Sequence, residues 1–214
     1  MSQSEPLLEA ILNGDAKAAA ALAGAALESG MDPLELVTKL MIPAMDEVGR
    51  LFECEEYFVP ELLLSGRAMR AALEVVRPRL VAAGAQPMGR VVIGTVKGDL
   101  HDIGKNLVSS MLEGGGFEVH DLGADVPPER FIDAIREHKA DIVALSALLT
   151  VTMPAMKTTI EALRQAGVPD NVKVMVGGAP VTQQFANEIG ADGYSDNATS
   201  AVALARRLMG GRTT

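Results

Sequence analysis

From residue 90 onward the sequence alternates five times between a short apolar or β-branched run and a stretch with helical periodicity. We expect strands at 90–96, 117–122, 141–146, 172–176 and 192–194, and helices at 103–113, 128–138, 153–166, 181–189 and 198–209. Such alternation predicts an α/β domain, in which a five-stranded parallel sheet carries helices on both faces. The apolar strand runs fit burial on both sides of the sheet.

Residues 1–85 carry a helical pattern alone, dominated by Ala, Leu, Glu and Met. Turn and capping residues divide this region into four helices, expected at 6–12, 16–29, 33–52 and 59–80. In the last of them, apolar residues recur at spacings of three and four, which is typical of a helix-bundle seam. A Gly- and Pro-rich loop follows at 84–89 and indicates a domain boundary. We therefore predict a four-helix bundle over 1–85 and the α/β domain over 90–214.

Composition excludes several classes of function. The net charge is −9 and no basic stripe is present, which argues against nucleic-acid binding. Aromatic residues make up 3% of the chain, so a stacking platform for bases or sugars is not expected. The single cysteine, Cys54, rules out an intrachain disulfide framework and a Cys-rich zinc site. No apolar run is long enough for a membrane span and no signal-peptide pattern is visible, so we expect a cytoplasmic protein without a membrane partner.

The segment that follows the first strand, from Gly94 to Asn106, is the first place to look for a site, because ligands of such sheets bind beyond the carboxyl ends of the strands. One interpretation is a phosphate-binding loop, since Gly98 and Gly104 precede a lysine. The Walker A pattern is not met, because five residues separate the glycines instead of four and Asn106 stands where Ser or Thr is needed. We therefore do not expect nucleoside triphosphate binding.

Asp99 and His101 leave two other interpretations open. They can be a helix cap and an ordinary loop histidine, with no ligand. Alternatively, Asp99 accepts a hydrogen bond from one ring nitrogen of His101, which fixes the tautomer and makes the other nitrogen a better metal ligand. The remaining histidines, His120 and His138, do not form a second ligand cluster in the sequence. A metal with one protein ligand requires a cofactor, such as a macrocycle, that supplies the rest.

Two further strand ends carry residues that suit a large ligand. Hydroxyl groups follow the third strand at Ser146, Thr150 and Thr152, and two adjacent glycines follow the fourth at Gly177 and Gly178. Bare backbone at these glycines allows a bulky group to approach closely, although a tight turn alone would also explain them.

Three short motifs at these strand ends, taken together, resemble the cobalamin-binding domain family. They are D-x-H-x-x-G at Asp99, His101 and Gly104, S-x-L at Ser146 and Leu148, and G-G at Gly177 and Gly178. The helical half resembles the cap that precedes this domain in methionine synthase and in methanogen-type corrinoid proteins, particularly over 40–69. Size and domain order are similar to those of the stand-alone corrinoid proteins of methyltransferase systems for methylamines, methanol and methoxylated compounds. The resemblance implies a flavodoxin-like (Rossmann-like) sheet behind a helical cap.

The resemblance also implies a cobalamin or related corrinoid that is bound base-off and His-on. His101 would be the lower axial ligand of cobalt, Asp99 would hydrogen-bond its other ring nitrogen, and Thr152 would complete this relay where methionine synthase has Ser. Reduction of cobalt would release His101, and the freed pair would take up a proton. The cofactor-binding residues implied, besides Asp99 and His101, are Gly94, Thr95, Gly98, Asp102, Ile103, Gly104, Ser146, Leu148, Thr150, Gly177, Gly178 and Phe58.

The function implied by the resemblance is that of a methyl carrier. A substrate:corrinoid methyltransferase would load the methyl group, and a second methyltransferase would pass it to tetrahydrofolate or to a thiol such as coenzyme M. A reductive activase would restore the cofactor, and the chain alone should show little turnover. The cap would cover the methyl group, with Phe58 sheltering it, and would swing away about the loop 84–89 when a partner docks.

Two other functions remain open from the sequence. A cobalamin-dependent sensor or light-responsive regulator also pairs a helical bundle with this domain, but such proteins usually carry a DNA-binding segment, and none is visible in this acidic sequence. The small subunit of a carbon-skeleton mutase shares D-x-H-x-x-G, but it typically lacks a helical cap, and residues 1–83 argue against it.

Overall fold

The computed structural model describes residues 4–210. Residues 1–3 and 211–214, at the outer ends of the two predicted domains, lie outside the described residues. Residues 1–3 are also the first of the N-terminal stretch in which no signal-peptide pattern is visible. Two compact units are present, one with the residues up to Pro87 and 113–116, and the other with 88–112 and the residues from 117 onward. Over the described residues, no helix is both long enough and apolar enough to cross a membrane.

The first unit is helical. Its helices are α1 Ser4–Leu12, α2 Ala16–Glu28, α3 Pro33–Leu36, α4 Ile42–Glu53 and α5 Val59–Ala82. The predicted caps are present, because the Asp15 carboxylate accepts the Ala18 N–H at 2.9 Å and Asp32 precedes Pro33 at the start of α3. A π-helical turn, Val37–Met41, joins α3 to α4, so the predicted third helix runs through two α segments. This wide turn lies directly before Pro43, whose ring would crowd the carbonyl group four residues earlier in a regular α-helix.

Small and apolar residues fill the core of the helical unit. Ala19, Ala23 and Ala26 of the Ala-rich α2 are buried. The side chains of Leu62 and Met69 from α5 are fully buried, as the predicted seam requires. The fully buried side chains Leu7, Ile11, Leu36, Met41 and Met45 complete this core. Leu34 and Val59 are apolar but exposed, because they lie in the first turns of their helices.

The second unit is a parallel sheet. Its strands are β1 Arg90–Thr95, β2 Glu118–Asp121, β3 Ile142–Ser146, β4 Lys173–Gly177 and β5 Gly193–Ser195. Its helices are α6 Ile103–Gly114, α7 Pro128–His138, α8 Pro154–Gln165, α9 Gln183–Ile189 and α10 Ala198–Leu208. All four strand pairs are parallel, and the strand order is β2-β1-β3-β4-β5. This order is the flavodoxin-like one, so the predicted fold class is confirmed.

The core of this unit lies between the central strands and the helices packed on them. Val92 and Val143 from β1 and β3 are fully buried, and Phe131 of α7 and Met156 of α8 pack into the same cluster. The strand order reverses between β1 and β3, which makes the carboxyl ends of these two strands the topological switch point of the sheet. The loops that follow them are therefore where a ligand is expected.

Candidate functional site

The loops after β1 and β3 lie side by side at the switch point. The two strands stay in register to their last residues, where Thr95 pairs with Ser146. The next residue after β1, Val96, donates its N–H to the Ser146 carbonyl oxygen at 3.0 Å. This pairing brings the first loop, residues 96–102, against the second, residues 147–153, and places residues 53 positions apart within hydrogen-bond distance.

Asp99 is the centre of the site. Its side chain is fully buried, and its Oδ2 atom accepts hydrogen bonds from the Leu148 N–H at 2.8 Å and the Thr152 hydroxyl at 2.6 Å. The Leu149 N–H lies 3.3 Å from the same oxygen. Its Oδ1 atom accepts the backbone N–H of His101 at 3.1 Å and faces the His101 ring nitrogen Nδ1 at 3.0 Å. The carboxylate is therefore buried but saturated with donors.

This environment has opposing effects on the pKa of Asp99. Burial is the largest single influence and raises the pKa, because it disfavours the charged form. The hydrogen bonds from Thr152, Leu148 and His101 act together in the other direction and hold the pKa of the carboxyl well below its usual range. Asp99 is therefore a carboxylate at neutral pH and can act only as an acceptor toward His101.

His101 presents its second ring nitrogen away from this network. Because Nδ1 faces a carboxylate, that nitrogen carries the hydrogen in the neutral ring, and Nε2 keeps a free electron pair. The side chain is 52% exposed, in contrast to the buried Asp99. The buried Thr95 holds the backbone of the same residue, since its hydroxyl donates to the His101 carbonyl oxygen at 2.9 Å. The result is a fixed imidazole with one nitrogen available as a ligand.

Exposed apolar side chains are concentrated in the same two loops. Within the described part of the α/β unit, the exposed large apolar side chains are Leu100, Ile103, Leu148, Leu149 and Val151. All five lie in the two loops or at the first residue of α6. A concentration of exposed apolar residues at one place marks a surface that is covered by a ligand or partner.

The predicted glycines fall into two groups. A Cβ atom at Gly94 would lie 2.8 Å from Phe131, and one at Gly178 would lie 1.8 Å from the Ala147 carbonyl oxygen. A Cβ atom at Gly177 would lie 3.1 Å from the Ser195 carbonyl oxygen, so packing inside the fold is one reason for glycine at these three positions. At Gly104, by contrast, no atom lies within 4 Å of such a Cβ, and the space beside the first turn of α6 is open.

The other predicted residues take varied positions. Asp102 is exposed, and its carbonyl oxygen accepts the Asn106 N–H at 2.7 Å at the start of α6. Gly98 and Thr150 are exposed in the two loops, and Ser146 is half-buried at the end of β3. Phe58 belongs to the helical unit, where it is 62% exposed at the N-terminus of α5. The structure therefore brings together Thr95, Asp99, His101, Leu148 and Thr152.

Two contributors to the network were not predicted. Leu149 takes part through its backbone N–H, which any residue type can supply, so no sequence pattern could reveal it. Asp125 donates its backbone N–H to the Asp99 carbonyl oxygen at 2.9 Å, and its carboxylate accepts the Gly98 N–H at 2.8 Å. The available signal was its place in the loop that follows the second strand, where no residue was singled out.

The donor set fits a metal that brings most of its own ligands. Among the described residues, no three His, Cys, Asp or Glu side chains are arranged to hold a metal ion. His120 and His138 stack on each other, with ring centroids 3.7 Å apart, and do not join His101 in a group of metal ligands. One free imidazole nitrogen, exposed apolar side chains in the same loops and open space beside Gly104 suit a large cofactor that needs a single axial ligand, as a corrinoid does.

Comparison with protein families gives the same answer for both units. Residues 89–203 match the family model described as the B12 binding domain. Residues 3–77 match a second family model with the description B12 binding domain.

Individual proteins are similar along most of the chain. Dimethylamine corrinoid protein 1 of Methanosarcina acetivorans is 47% identical over 180 residues, which cover 84% of each chain. Trimethylamine corrinoid protein 1 of the same organism is 44% identical over 203 residues, or 94% of each chain. A chain of the methanol:cobalamin methyltransferase complex from Methanosarcina barkeri superposes with a TM-score of 0.87 at 32% identity, covering 99% of this chain and 81% of that one. A cobalamin-binding protein from Desulfitobacterium hafniense gives a TM-score of 0.78 at 33% identity, covering 97% and 98%.

Proposed function

The chain belongs to the family of B12-binding corrinoid proteins, and on that premise we propose that it carries a methyl group on the cobalt of a bound corrinoid between two methyltransferases. The observation that carries the proposal is the Asp99–His101 contact of 3.0 Å, which fixes the ring and leaves Nε2 free at the carboxyl edge of the sheet. Relatives that are 44–47% identical bear the names of dimethylamine and trimethylamine corrinoid proteins, which supports a methylamine or a related one-carbon compound as the methyl source.

When bound, the corrinoid supplies the cobalt centre that accepts and releases the methyl group. In the proposed base-off, His-on state, His101 Nε2 would hold the cobalt. The buried Asp99 carboxylate makes that nitrogen a stronger donor, because it attracts the hydrogen on Nδ1. Thr152 holds the other carboxylate oxygen at 2.6 Å, so the carboxylate cannot rotate away from the ring.

The same three residues can store a proton. When His101 is not ligated, its Nε2 is free to accept a proton from solvent, since the side chain is half exposed. The ring would keep its contact with Asp99 Oδ1 through Nδ1. We therefore propose that Nε2 of His101 would hold a proton whenever it does not hold the cofactor.

The lining of the cofactor site follows from the same reasoning. Ile103, Leu148 and the open space beside Gly104 are proposed to contact the cofactor, because they are exposed at the site. Further cofactor contacts are proposed at Gly94, Thr95, Gly98, Asp102, Ser146, Thr150, Gly177 and Gly178. The helical domain 1–85 is proposed to cover the methyl group, with Phe58 as the sheltering side chain, and the domain 90–214 to hold the cofactor.

The proposed partners follow from the role of a carrier. A substrate:corrinoid methyltransferase loads the methyl group, and a corrinoid:tetrahydrofolate or corrinoid:thiol methyltransferase removes it. A reductive activase is proposed as a further partner, because it would return an oxidised cofactor to the state that carries methyl groups. We place this system in the cytoplasm, where tetrahydrofolate and reduced thiols are available, and cell fractionation tests that location.

Absorption spectroscopy of the protein loaded with hydroxocobalamin tests the proposal. We expect the wild type to bind one corrinoid per chain with a His-ligated spectrum, and His101→Ala to lose that spectrum. His138→Ala serves as the matched control, because it removes a histidine from the same unit, and it should behave as the wild type. A His-ligated spectrum in His101→Ala would contradict the axial assignment, and absence of corrinoid binding to the wild type would contradict the function.

A further inference from the structure

Asp125 has a backbone conformation that is rare for a residue with a side chain. It lies in the connection between β2 and α7, and its φ angle is 54°, in the left-handed region. Such conformations cost energy for residues other than glycine, and they are retained where the surrounding structure requires them. Asp is among the few residue types that tolerate this region. Because glycine would adopt this conformation without strain, the Asp125 side chain must make contacts that favour aspartate here.

The contacts of Asp125 explain this preference, because all of them go to the segment that carries Asp99. Its carboxylate accepts the Gly98 N–H at 2.8 Å and lies 3.2 Å from the ammonium group of Lys97. Its backbone N–H donates to the Asp99 carbonyl oxygen at 2.9 Å. Asp125 thus binds three consecutive residues of the first loop, two of them through their backbone.

Neighbouring hydrogen bonds make the connection a continuous support for that loop. Thr95 donates its N–H to the Gly123 carbonyl oxygen at 3.0 Å, and Val126 donates to the Thr95 carbonyl oxygen at 2.9 Å. The contacts from this connection to residues 97–99 of the first loop are those made by Asp125. Gly98 needs this support most, since this residue is exposed, has a φ angle of 86° and has no side chain that could restrict its backbone.

We infer that Asp125 is a positioning residue for the Asp99–His101 pair, acting through the Gly98 amide and the Asp99 carbonyl group. Asp99 Oδ2 must stay within reach of Leu148 and Thr152 while Oδ1 faces His101, at distances between 2.6 and 3.1 Å. A displacement of the loop by about 1 Å would lengthen one set of these bonds at the expense of the other. The corrinoid readout of this inference rests on the proposed function, whereas its readout in the cofactor-free protein does not.

Three variants separate the side-chain contact from backbone strain. Asp125→Gly removes the acceptor for the Gly98 N–H and relieves the left-handed strain. Asp125→Asn keeps an oxygen acceptor and tolerates the same backbone conformation, but gives up the charge that faces Lys97. Lys139→Gly is the matched control, because Lys139 also has a left-handed φ angle, of 51°, at the C-terminal end of α7 in the same unit.

Amide NMR of the cofactor-free protein gives the first readout. In the wild type, the exposed Gly98 amide should be protected from hydrogen exchange, and the Leu148 amide should be shifted downfield by its bond to Asp99. Asp125→Gly should lose both signatures, while Asp125→Asn and Lys139→Gly keep them. An unprotected Gly98 amide in the wild type would overturn the inference without any variant, so the test does not depend on Asp125→Gly folding.

Hydroxocobalamin titration gives the second readout. We expect Asp125→Gly to weaken binding about tenfold and to lower the His-ligated fraction, as loss of a hydrogen bond to a charged acceptor allows. Asp125→Asn and Lys139→Gly should stay within about twofold of the wild type. In a His101→Ala background, Asp125→Gly should cause no further loss, because the residue acts through the Asp99–His101 pair.

The outcomes distinguish the two proposals. If the wild type binds no corrinoid but the NMR signatures follow Asp125 as expected, the proposed function fails and the positioning role stands. If the wild type binds with a His-ligated spectrum and Asp125→Gly leaves the spectrum, the affinity and the Leu148 amide unchanged, the positioning role is refuted and the proposed function stands. An equal loss in the presence and absence of His101 would also refute it, since the effect would then be one on stability alone.

Discussion

Replacement of Thr152 by valine tests the most direct consequence of the buried carboxylate. The Thr152 hydroxyl lies 2.6 Å from Asp99 Oδ2 and 2.8 Å from the Leu149 carbonyl oxygen, but it has one hydrogen to give. The carboxylate is the stronger acceptor, so the hydrogen lies toward Asp99. Valine has nearly the same shape and places a methyl group against a charge that is fully buried.

The magnitude follows from the kind of bond that is lost. A hydrogen bond to a charged group contributes about 1.5–3 kcal/mol, so we expect Thr152→Val to lower the free energy of unfolding of the α/β unit by that amount at pH 7. Thr152→Ser is the matched control, because it keeps the hydroxyl and loses one methyl group, at a cost of about 1 kcal/mol or less.

The loss should also depend on pH in a defined direction. The pKa of Asp99 is lowered in the folded state, so its ionisation stabilises the fold above the unfolded-state value of about 3.9. Thr152→Val raises the folded-state pKa, so the difference from the wild type should stay constant from pH 7 down to the unfolded-state value and shrink only as the pH falls through the raised folded-state pKa. Thr152→Ser should show a difference that is small and nearly independent of pH.

Urea unfolding followed by hydrogen exchange of peptides from β1 and β3 is the appropriate assay, since it reports on the α/β unit by itself. A global probe would mix the two units, whose unfolding need not be a single transition. If Thr152→Val were as stable as the wild type at pH 7, or if Thr152→Ser were equally destabilised, the hydroxyl would not be the group that supports Asp99.

Two further predictions concern the same unit. Gly178→Ala should destabilise the α/β unit by more than about 3 kcal/mol in urea unfolding, because the new Cβ would lie 1.8 Å from the Ala147 carbonyl oxygen at a φ angle of 134°. Gly104→Ala, with open space around it, should be neutral or slightly stabilising. Equal effects of the two substitutions would contradict the packing argument. Burial and the nearby charge of His138 lower the pKa of His120, so the unfolding free energy should fall as the pH drops below about 6.5. His120→Gln should remove that dependence in a pH series of denaturation curves. An unchanged pH dependence in that variant would count against the assignment to His120.

The sequence predicted most where local signals are strong. The helix α7 was expected over the residues that form it, since Pro128 marks its start and its apolar spacing is regular. The observed strand ends differ from the predicted ones by about one residue, because the limits of a strand depend on the strand with which it pairs. The π-helical turn at 37–41 was not predicted, although Pro43, which would crowd a carbonyl group of a regular α-helix, lies shortly after it.

The side chains that carry the chemistry of the site were easier to predict than the contacts that hold them in place. Asp99 and His101 are two positions apart, so their contact could be foreseen from spacing, and the resemblance pointed to Thr152. The packing of the glycines at 94, 177 and 178 against residues distant in the sequence was not foreseen, and their contact with a cofactor stays a prediction. Asp125 was missed because its role depends on bonds to a loop 27 positions away.

The two apolar loops have a consequence for the fate of the chain in the cell. Five large aliphatic side chains are exposed in these loops and at the first residue of α6 as long as nothing covers them. Such a surface binds hydrophobic dyes, chaperones and other chains, so the cofactor-free protein carries an aggregation risk of its own. A ligand that binds only the folded state also stabilises it in proportion to its concentration. The corrinoid supply would therefore set how much of this protein survives, as well as how much of it can react.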